Sequence, residues 1–155
     1  MSSRDGESTF PAPIEVRPAR PSDRDFFHEL RKAALGPYVE EIWGWNEADQ
    51  RARSDLVFER YPVEIVEEKG LAIGCLSVVH EDDQDLLELV ALLPESQSQG
   101  IGSALIAAVQ EEAAERGVPL RLSVLANNPA RALYERLGFR VVRVEQPRVF
   151  MEWRP

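Results

Sequence analysis

Cysteine is nearly absent: Cys75 stands alone, which rules out an intramolecular disulfide, and no repeated Cys/His spacing of the kind that binds zinc occurs. A reducing compartment, the cytoplasm, is therefore expected, and no metal. No stretch approaches the ~18 consecutive apolar residues that a bilayer span needs. Met1 to Pro13 is polar and proline-bearing, reads as a disordered tail, and lacks the apolar centre of a secretory signal. Neither secretion nor a membrane partner is expected. Positive charge is scarce too: 18 Lys and Arg stand against 27 Asp and Glu, for a net charge of −9 and a sequence pI of about 4.8. Internal repeats and low-complexity segments are also lacking.

What is present is enough for one domain, expected over 14–155: the chain has 155 residues, 44% of them hydrophobic, sufficient for a core without covalent staples. Its acid is unevenly placed. Residues 1–95 carry 21 acidic and 10 basic side chains, whereas residues 96–155 carry 6 and 8. Between Glu81 and Glu95 lie Asp82, Asp83, Asp85 and Glu88 with no Lys or Arg, a surface that repels a phosphate backbone, so no nucleic-acid partner is expected. The run either solubilises the chain or draws in a cationic substrate.

Hydrophobic periodicity divides the chain into alternating elements. Ile14 to Arg17 alternates as a short strand; Ser22 or Asp23 then caps a helix to about Leu35, with Phe26, Phe27, Leu30 and Ala34 as its stripe, stopped by Gly36-Pro37. A second helical region covers Tyr38 to Trp43 and, after an Asn46 cap, continues to roughly Glu59. Val63–Glu67, Leu71–His80 and Leu86–Leu93 form a three-strand antiparallel meander. Then follow a helix from about Gly102 to Arg116 closed by Gly117, a strand Leu120–Val124, a short helix Pro129–Leu137, and strands Arg140–Glu145 and Val149–Trp153.

The segment from Leu92 to Ser103 joins a strand directly to a helix N-terminus through Gly100 and Gly102. Glycines let main-chain N–H groups point into one concavity, and the helix behind adds about half a positive charge there, which suits a pyrophosphate. Helix starts also use glycine for plain turn geometry. The segment lacks the Gly-Lys-Ser/Thr ending of a P-loop, and Leu105 stands where a dinucleotide fingerprint has its third glycine, so neither ATP nor NAD is supported.

Gln97-Ser-Gln-Gly100-Ile-Gly102, preceded by a strand and Pro94, resembles the cofactor-loop signature of the GNAT acyl-CoA N-acyltransferase superfamily: Gln or Arg, two residues, Gly, one residue, Gly or Ala. Asn127-Asn-Pro-Ala130-Arg-Ala-Leu-Tyr134-Glu-Arg-Leu-Gly138-Phe139 is similar to the family's second block, in the right order and at the right distance. The resemblance implies an α/β fold: a mixed, mostly antiparallel sheet of six or seven strands, with about four helices on both faces, splayed between the fourth and fifth strands. It also implies acetyl-CoA as co-substrate. By resemblance, Gln97, Ser98, Gln99, Gly100, Ile101, Gly102 and Ser103 bind its pyrophosphate, Leu92 offers backbone groups to the pantetheine and the acetyl carbonyl, and Asn127 contacts the cofactor or fixes the splay. From the residues alone, Asn127 reads equally as a cap for the helix at Pro129.

Acetyl transfer to an amine needs a base, because a primary amine of pKa ~10.4 is almost wholly protonated at pH 7. Glu88 lies inside the fourth strand, and alternation puts it on the face of Val90 and Leu92; it is the candidate base, or else a carboxylate paired with a cross-strand Arg or facing solvent. Tyr134 occupies the family's general-acid position; its residue-level alternative is an aromatic packed beside Leu133, Leu137 and Phe139. Tyr38, Trp43 and Trp45 sit where family members build the acceptor wall, although three aromatics in a helix-turn also read as core. His28, His80 and Cys75 are given no chemistry. The expected activity is acetyl transfer from acetyl-CoA to a small, cationic amine. The alternatives are a protein N-terminal or lysine acetyltransferase and a non-catalytic acetyl-CoA sensor; a homodimer through the C-terminal strands is implied by resemblance alone.

Overall fold

The computed structural model describes residues 13–155; residues 1–12 of the expected tail lie outside the described residues. Strand β1 (Ile14–Pro18) leads through a short turn into helices α1 (Arg24–Trp43) and α2 (Glu47–Arg60). Strands β2 (Glu64–Glu68), β3 (Leu71–His80) and β4 (Asp85–Leu92) form the meander, followed by α3 (Ile101–Arg116), β5 (Leu120–Leu125), α4 (Ala130–Arg136), β6 (Arg140–Glu145) and β7 (Arg148–Trp153). The seven strands form one sheet in the order β1-β2-β3-β4-β5-β7-β6. Helices α1 and α2 cover one face through Phe27, Leu30, Val57 and Phe58; α3 and α4 cover the other through Leu105, Ile106, Val109 and Tyr134. No described helix is long and apolar enough to cross a membrane.

Most element boundaries fall within two residues of the expected ones; the first helix does not. Gly36-Pro37, read as a stop, lies inside a single helix that continues to Trp43. A helical proline forfeits one hydrogen bond and crowds the carbonyl four residues back, at a cost of ~3 kcal/mol. Buried side chains on both sides of it, Phe27 and Leu30 before and Val39 after, keep the helix docked. Trp45 folds back over the bare backbone of Gly36, where an added Cβ would touch its ring at 3.7 Å. Asp23 stands at the expected N-cap position of α1, but its side chain makes no cap hydrogen bond to that helix. Asp23 accepts from the Arg20 N–H at 2.7 Å and from Arg17 Nη1 at 2.8 Å, closing the turn before α1, while Asn46 caps α2 as expected by accepting from the Asp49 N–H.

Every neighbouring pair of strands is antiparallel except β4 and β5. These two run parallel and pair only at Asp85↔Leu120 and Leu86↔Arg121. Beyond that, β4 stays with β3 as far as Leu92 and β5 with β7 as far as Leu125, so a wedge opens between them. The start of the wedge is clasped from below. Asp85, fully buried, accepts from Arg116 Nε at 2.9 Å at the end of α3 and lies 2.8 Å from His80 Nδ1.

Candidate active site

The wedge opens toward the loop that follows β4. Pro94–Ser96 makes a single 3-10 turn, Ser98 and Gly100 take positive φ of 63° and 82°, and Gly100 stands as the N-cap of the sixteen-residue α3. Two side chains hold the loop from within: Gln97 Nε2 donates to the Leu92 carbonyl at 3.0 Å, and Gln99 Nε2 to the Glu95 carbonyl at 3.1 Å. The N–H groups of Ile101, Gly102 and Ser103 precede the first helical hydrogen bond, Ala104 N–H to Gly100 O, and have no acceptor among the described residues. Gly102 and Ser103 border a cavity of about 580 Å³ closed by Leu133, Tyr134 and Arg136 of α4. Nothing in the fold requires Gly102 to lack a side chain, since an added Cβ would find its nearest neighbours 3.9 Å away. What the glycine preserves is space. Main-chain donors, a helix N-terminus and the Arg136 cation together fit a pyrophosphate-bearing ligand such as acetyl-CoA.

A second cavity, of about 400 Å³, enters the wedge from the α1–α2 side. Leu35, Val90, Asn128, Ala130 and Tyr134 line both cavities, which are two arms of one cleft. Tyr134 sits where they join, 8% exposed, its ring edge-on to Phe139 at 5.7 Å. Burial pushes its phenol up to about 12. The hydroxyl is thus a neutral donor throughout the physiological range.

Glu88 lies in the second arm, not by the alternation expected of it. The β3–β4 register slips between Ser77 and Val78, pairing Leu89 and Leu87 with them and leaving Glu88 as the extra residue of a β-bulge. Strict alternation fails there: Leu87 and Val90 both join the core under α3, while Leu89 joins that under α1. Glu88 is exposed in the cleft, with no hydrogen bond or ion pair among the described residues; the cross-strand Arg partner is not found.

The other expected site residues divide. Leu92, Gln97, Ser98, Gly100, Gly102 and Ser103 line the loop arm, whereas the Ile101 side chain is buried in the core and Gln99 turns back to Glu95. Asn127 is no helix cap. Its Nδ2 donates to the Tyr38 carbonyl at 3.2 Å and to Glu41 Oε1 at 3.0 Å, tying the β5–α4 loop to α1, and it is Asn128 that caps α4 through the Ala130 N–H at 2.9 Å. Of the three aromatics, Trp43 lines the second arm and Tyr38 the loop arm. Trp45 borders neither; its Nε1 donates to Glu47 Oε1 at 2.9 Å and its ring lies 6.4 Å from that of His28.

His28 has partners that its isolation in sequence concealed: Nδ1 lies 2.7 Å from Ser54 Oγ and Nε2 2.7 Å from Glu47 Oε2. His28, Glu29 and Glu47 are also grouped closely enough to hold a cation, but both ring nitrogens of His28 are already engaged. Cys75 is fully buried and its thiol is pushed up to about 12, so the expectation of an inert cysteine agrees with its setting. The acidic run does not face the cleft as a field. Glu81, Asp82, Asp83 and Glu95 are exposed elsewhere, and the charged side chains lining the second arm are Arg31, Arg53, Arg148 and Glu88. Sequence reasoning missed these arginines. Arg31 carried the one available signal, an Arg at i+4 from Phe27 inside the apolar stripe of α1.

Residues 59–141, more than half of the chain, match the family model described as an acetyltransferase (GNAT) domain. The PaiA N-acetyltransferase of Thermoplasma acidophilum, solved with coenzyme A, has a similar fold: TM-score 0.75 at 17% identity, covering 92% of this chain and 99% of that one. The ribosomal-protein-S18-alanine N-acetyltransferase of Escherichia coli gives 0.67 at 23% identity over 91% and 93% of the two chains. A GNAT family acetyltransferase of Elizabethkingia anophelis with acetyl-CoA bound gives 0.66 at 15% identity over 94% and 100%. No curated protein matches the sequence.

Proposed function

The chain belongs to the GNAT acetyltransferase family, and from that premise we propose that it transfers the acetyl group of acetyl-CoA to the primary amine of a small molecule by direct attack. The observation that carries this reading is the wedge between β4 and β5, with a helix-start donor set at one end, a second cavity at the other and the largely buried Tyr134 lining both. When bound, acetyl-CoA supplies an activated acyl thioester. The N–H groups at the start of α3 and Arg136 hold its pyrophosphate, and β4 offers the main-chain groups of Val90 and Leu92, which alternate away from β3, to the arm between the strands. One lone pair of the Leu92 carbonyl is already taken by Gln97, which fixes the direction of the other.

The acceptor enters from the second arm. Glu88, left unpaired by the bulge, takes the ammonium proton directly or through a water, and frees the nitrogen pair that forms the C–N bond. As the C–S bond breaks, charge grows on sulfur. A phenol near 12 holds its proton too tightly to pass it to a solvated thiolate, whose own pKa is ~8.5, so Tyr134 contributes the hydrogen bond it gives to that sulfur. The thiolate takes its proton from solvent after release. A reducing compartment, the cytoplasm, suits the free Cys75.

Two tests separate this from its rivals. Acetyl-CoA-dependent thiol release is measured against polyamines, amino acids, aminoglycosides and short peptides, with acetyl-CoA binding followed in parallel. Release with small amines supports the proposal, release with peptides alone replaces it with protein acetylation, and binding without release replaces it with a sensor. We also propose a homodimer through β6, an edge strand whose six residues are all exposed, Val142 at 55% and Val144 at 51%. Sedimentation equilibrium of the native chain and of Val142→Lys decides it: a dimer lost in the variant supports the interface, and a monomeric native chain overturns it.

A further inference from the structure

On the reading of this cleft as an acetyltransferase site, we propose that the acceptor is an amine that also carries an anionic group, a carboxylate or a phosphate. Arg31, with Arg53 beside it, receives that group on the α1–α2 side, Arg148 stands further along the same arm over the Trp43 ring, and Glu88 faces the amine.

Three observations converge. Arg31 is 7% exposed and lines the second arm, yet among the described residues no carboxylate pairs with it. Its acceptors are uncharged: Nη1 donates to Ser54 Oγ at 2.6 Å and, weakly, to the Gln50 carbonyl at 3.5 Å, and Nη2 reaches Gln50 Oε1 at 3.4 Å. A guanidinium has five N–H donors, so Nε and one hydrogen of Nη2 are left without an acceptor. Five other arginines, all more exposed than Arg31, do sit on carboxylates: Arg17, Arg24, Arg51, Arg116 and Arg121. A buried cation without a counter-ion is costly, and the cost is removed when an anion docks.

The second observation is the company it keeps. Arg53 and Arg148 line the same arm, likewise without an acid partner among the described residues, and Glu88 is its one acid. The cleft is thus net positive in a chain of net charge −9, the reverse of what chance placement gives. Burial, and after it repulsion from Arg53, lowers the pKa of Arg31 from its ordinary value.

The third is that Arg31 is held in place. Arginine only donates, so Ser54 Oγ accepts from it; the same hydroxyl lies 2.7 Å from His28 Nδ1, and His28 Nε2 lies 2.7 Å from Glu47 Oε2. A buried side chain held by Ser54 and Gln50 of α2, neither of which neutralises it, is built to present its charge. A cationic amine would be met by three like charges. An amine with a carboxylate or phosphate a few bonds away places opposite charges against opposite charges, and Arg offers the planar fork that such anions take.

The test is thiol release from matched amines: L-amino acids against their amides and their decarboxylated amines, phosphoethanolamine against ethanolamine, with spermidine as polycation. The expected result is kcat/KM at least tenfold higher for the anionic member, the carboxylate and phosphate series showing which anion is meant. Arg53→Gln, exposed and not needed for folding, should shrink that ratio at least fivefold through KM, and Arg31→Lys should shrink it further. Equal rates across each matched set, or preference for the amides, decarboxylated amines or spermidine, overturns the proposal and leaves acetyl transfer standing. Release from no amine overturns both.

Discussion

Arg31 Nη1 and Ser54 Oγ lie 2.6 Å apart, joining the floor of the cleft on α1 to a serine of α2 that is itself fully buried. The same hydroxyl meets His28, which meets Glu47 at the surface, where Trp45, His28 and Lys32 pull the carboxyl down to about 2. The pairing of α1 and α2 is therefore a polar one at its centre, within a largely apolar interface. Ser54→Ala leaves both the His28 Nδ1 and one Arg31 donor without a partner, at about 1–3 kcal/mol for each orphaned group. Urea unfolding should show a lower midpoint at unchanged m-value, and an unaltered midpoint would mean that water replaces the hydroxyl at no cost.

Tyr134→Phe keeps the ring contact with Phe139 and removes one oxygen from the junction of the two arms. We expect kcat to fall tenfold or more while the Kd for acetyl-CoA stays within about twofold, because the hydroxyl acts on charge that exists only as the thiolate leaves. Since the phenol lies near 12, any activity limb between pH 7 and 10 must persist in the variant. Stopped-flow turnover beside equilibrium binding checks both, and unchanged kcat would remove Tyr134 from the mechanism.

How much of this was legible in sequence depends on which physical signal each element used. The loop and α4 were, because Gly100 turns at a positive φ before a helix start and Pro129 and Gly138 bracket α4, whereas the roles expected of Gly102 and Tyr134 rested on the family resemblance. The meander and its turn were too, since Lys69 and Gly70 both take positive φ and Gly70 does so freely. The Glu88 bulge was not, because one extra residue in a strand leaves no mark on an alternation pattern until its partner strand is known. Pro37 misled for a related reason: its local penalty is real, but the long-range packing of Val39 and Trp45 outweighs it. Asn127 and Asn128 are adjacent and alike, and only the position of α1 tells which one reaches Tyr38 and which one caps.

Two glycines beside the loop should respond in opposite ways. At Gly74 an added Cβ would come within 2.5 Å of the Ala91 carbonyl oxygen and 2.6 Å of Leu92 Cδ2, so Gly74→Ala forces β3 and β4 apart at the mouth of the wedge. Overpacking of this kind costs about 1–3 kcal/mol. Gly102→Ala meets nothing closer than 3.9 Å and sits in a helix, so stability should hold or rise by up to ~1 kcal/mol. Gly102→Val extends further into the cavity and should weaken acetyl-CoA binding at least tenfold in a folded protein. Thermal unfolding and calorimetric titration of the three variants measure this; a Gly102→Val protein that binds acetyl-CoA normally would mean the loop arm is not where the pyrophosphate sits.

Stability should fall at both ends of the pH scale for identifiable reasons. The Arg17 guanidinium, 2.8 Å from Asp23 and 3.0 Å from Glu67, holds the Asp23 carboxyl below its usual range against the opposing effect of burial. With the folded value depressed, the unfolded chain binds the extra proton: the contribution is complete above the unfolded pKa of ~3.9 and is lost as pH drops through the lower folded value. At the other end, burial raises Cys75 and Tyr134, each to about 12, so the folded chain keeps protons that the unfolded chain gives up from ~8.5 and ~10 onward. Here stability declines as pH rises through that window. Arg17→Met should flatten the acid limb and leave the alkaline one, and Cys75→Ala should shift the onset of the alkaline limb from about 8.5 toward 10. Denaturant midpoints at intervals from pH 2.5 to 11 resolve the two; an acid limb of the same slope in Arg17→Met would place its origin in some carboxylate other than Asp23.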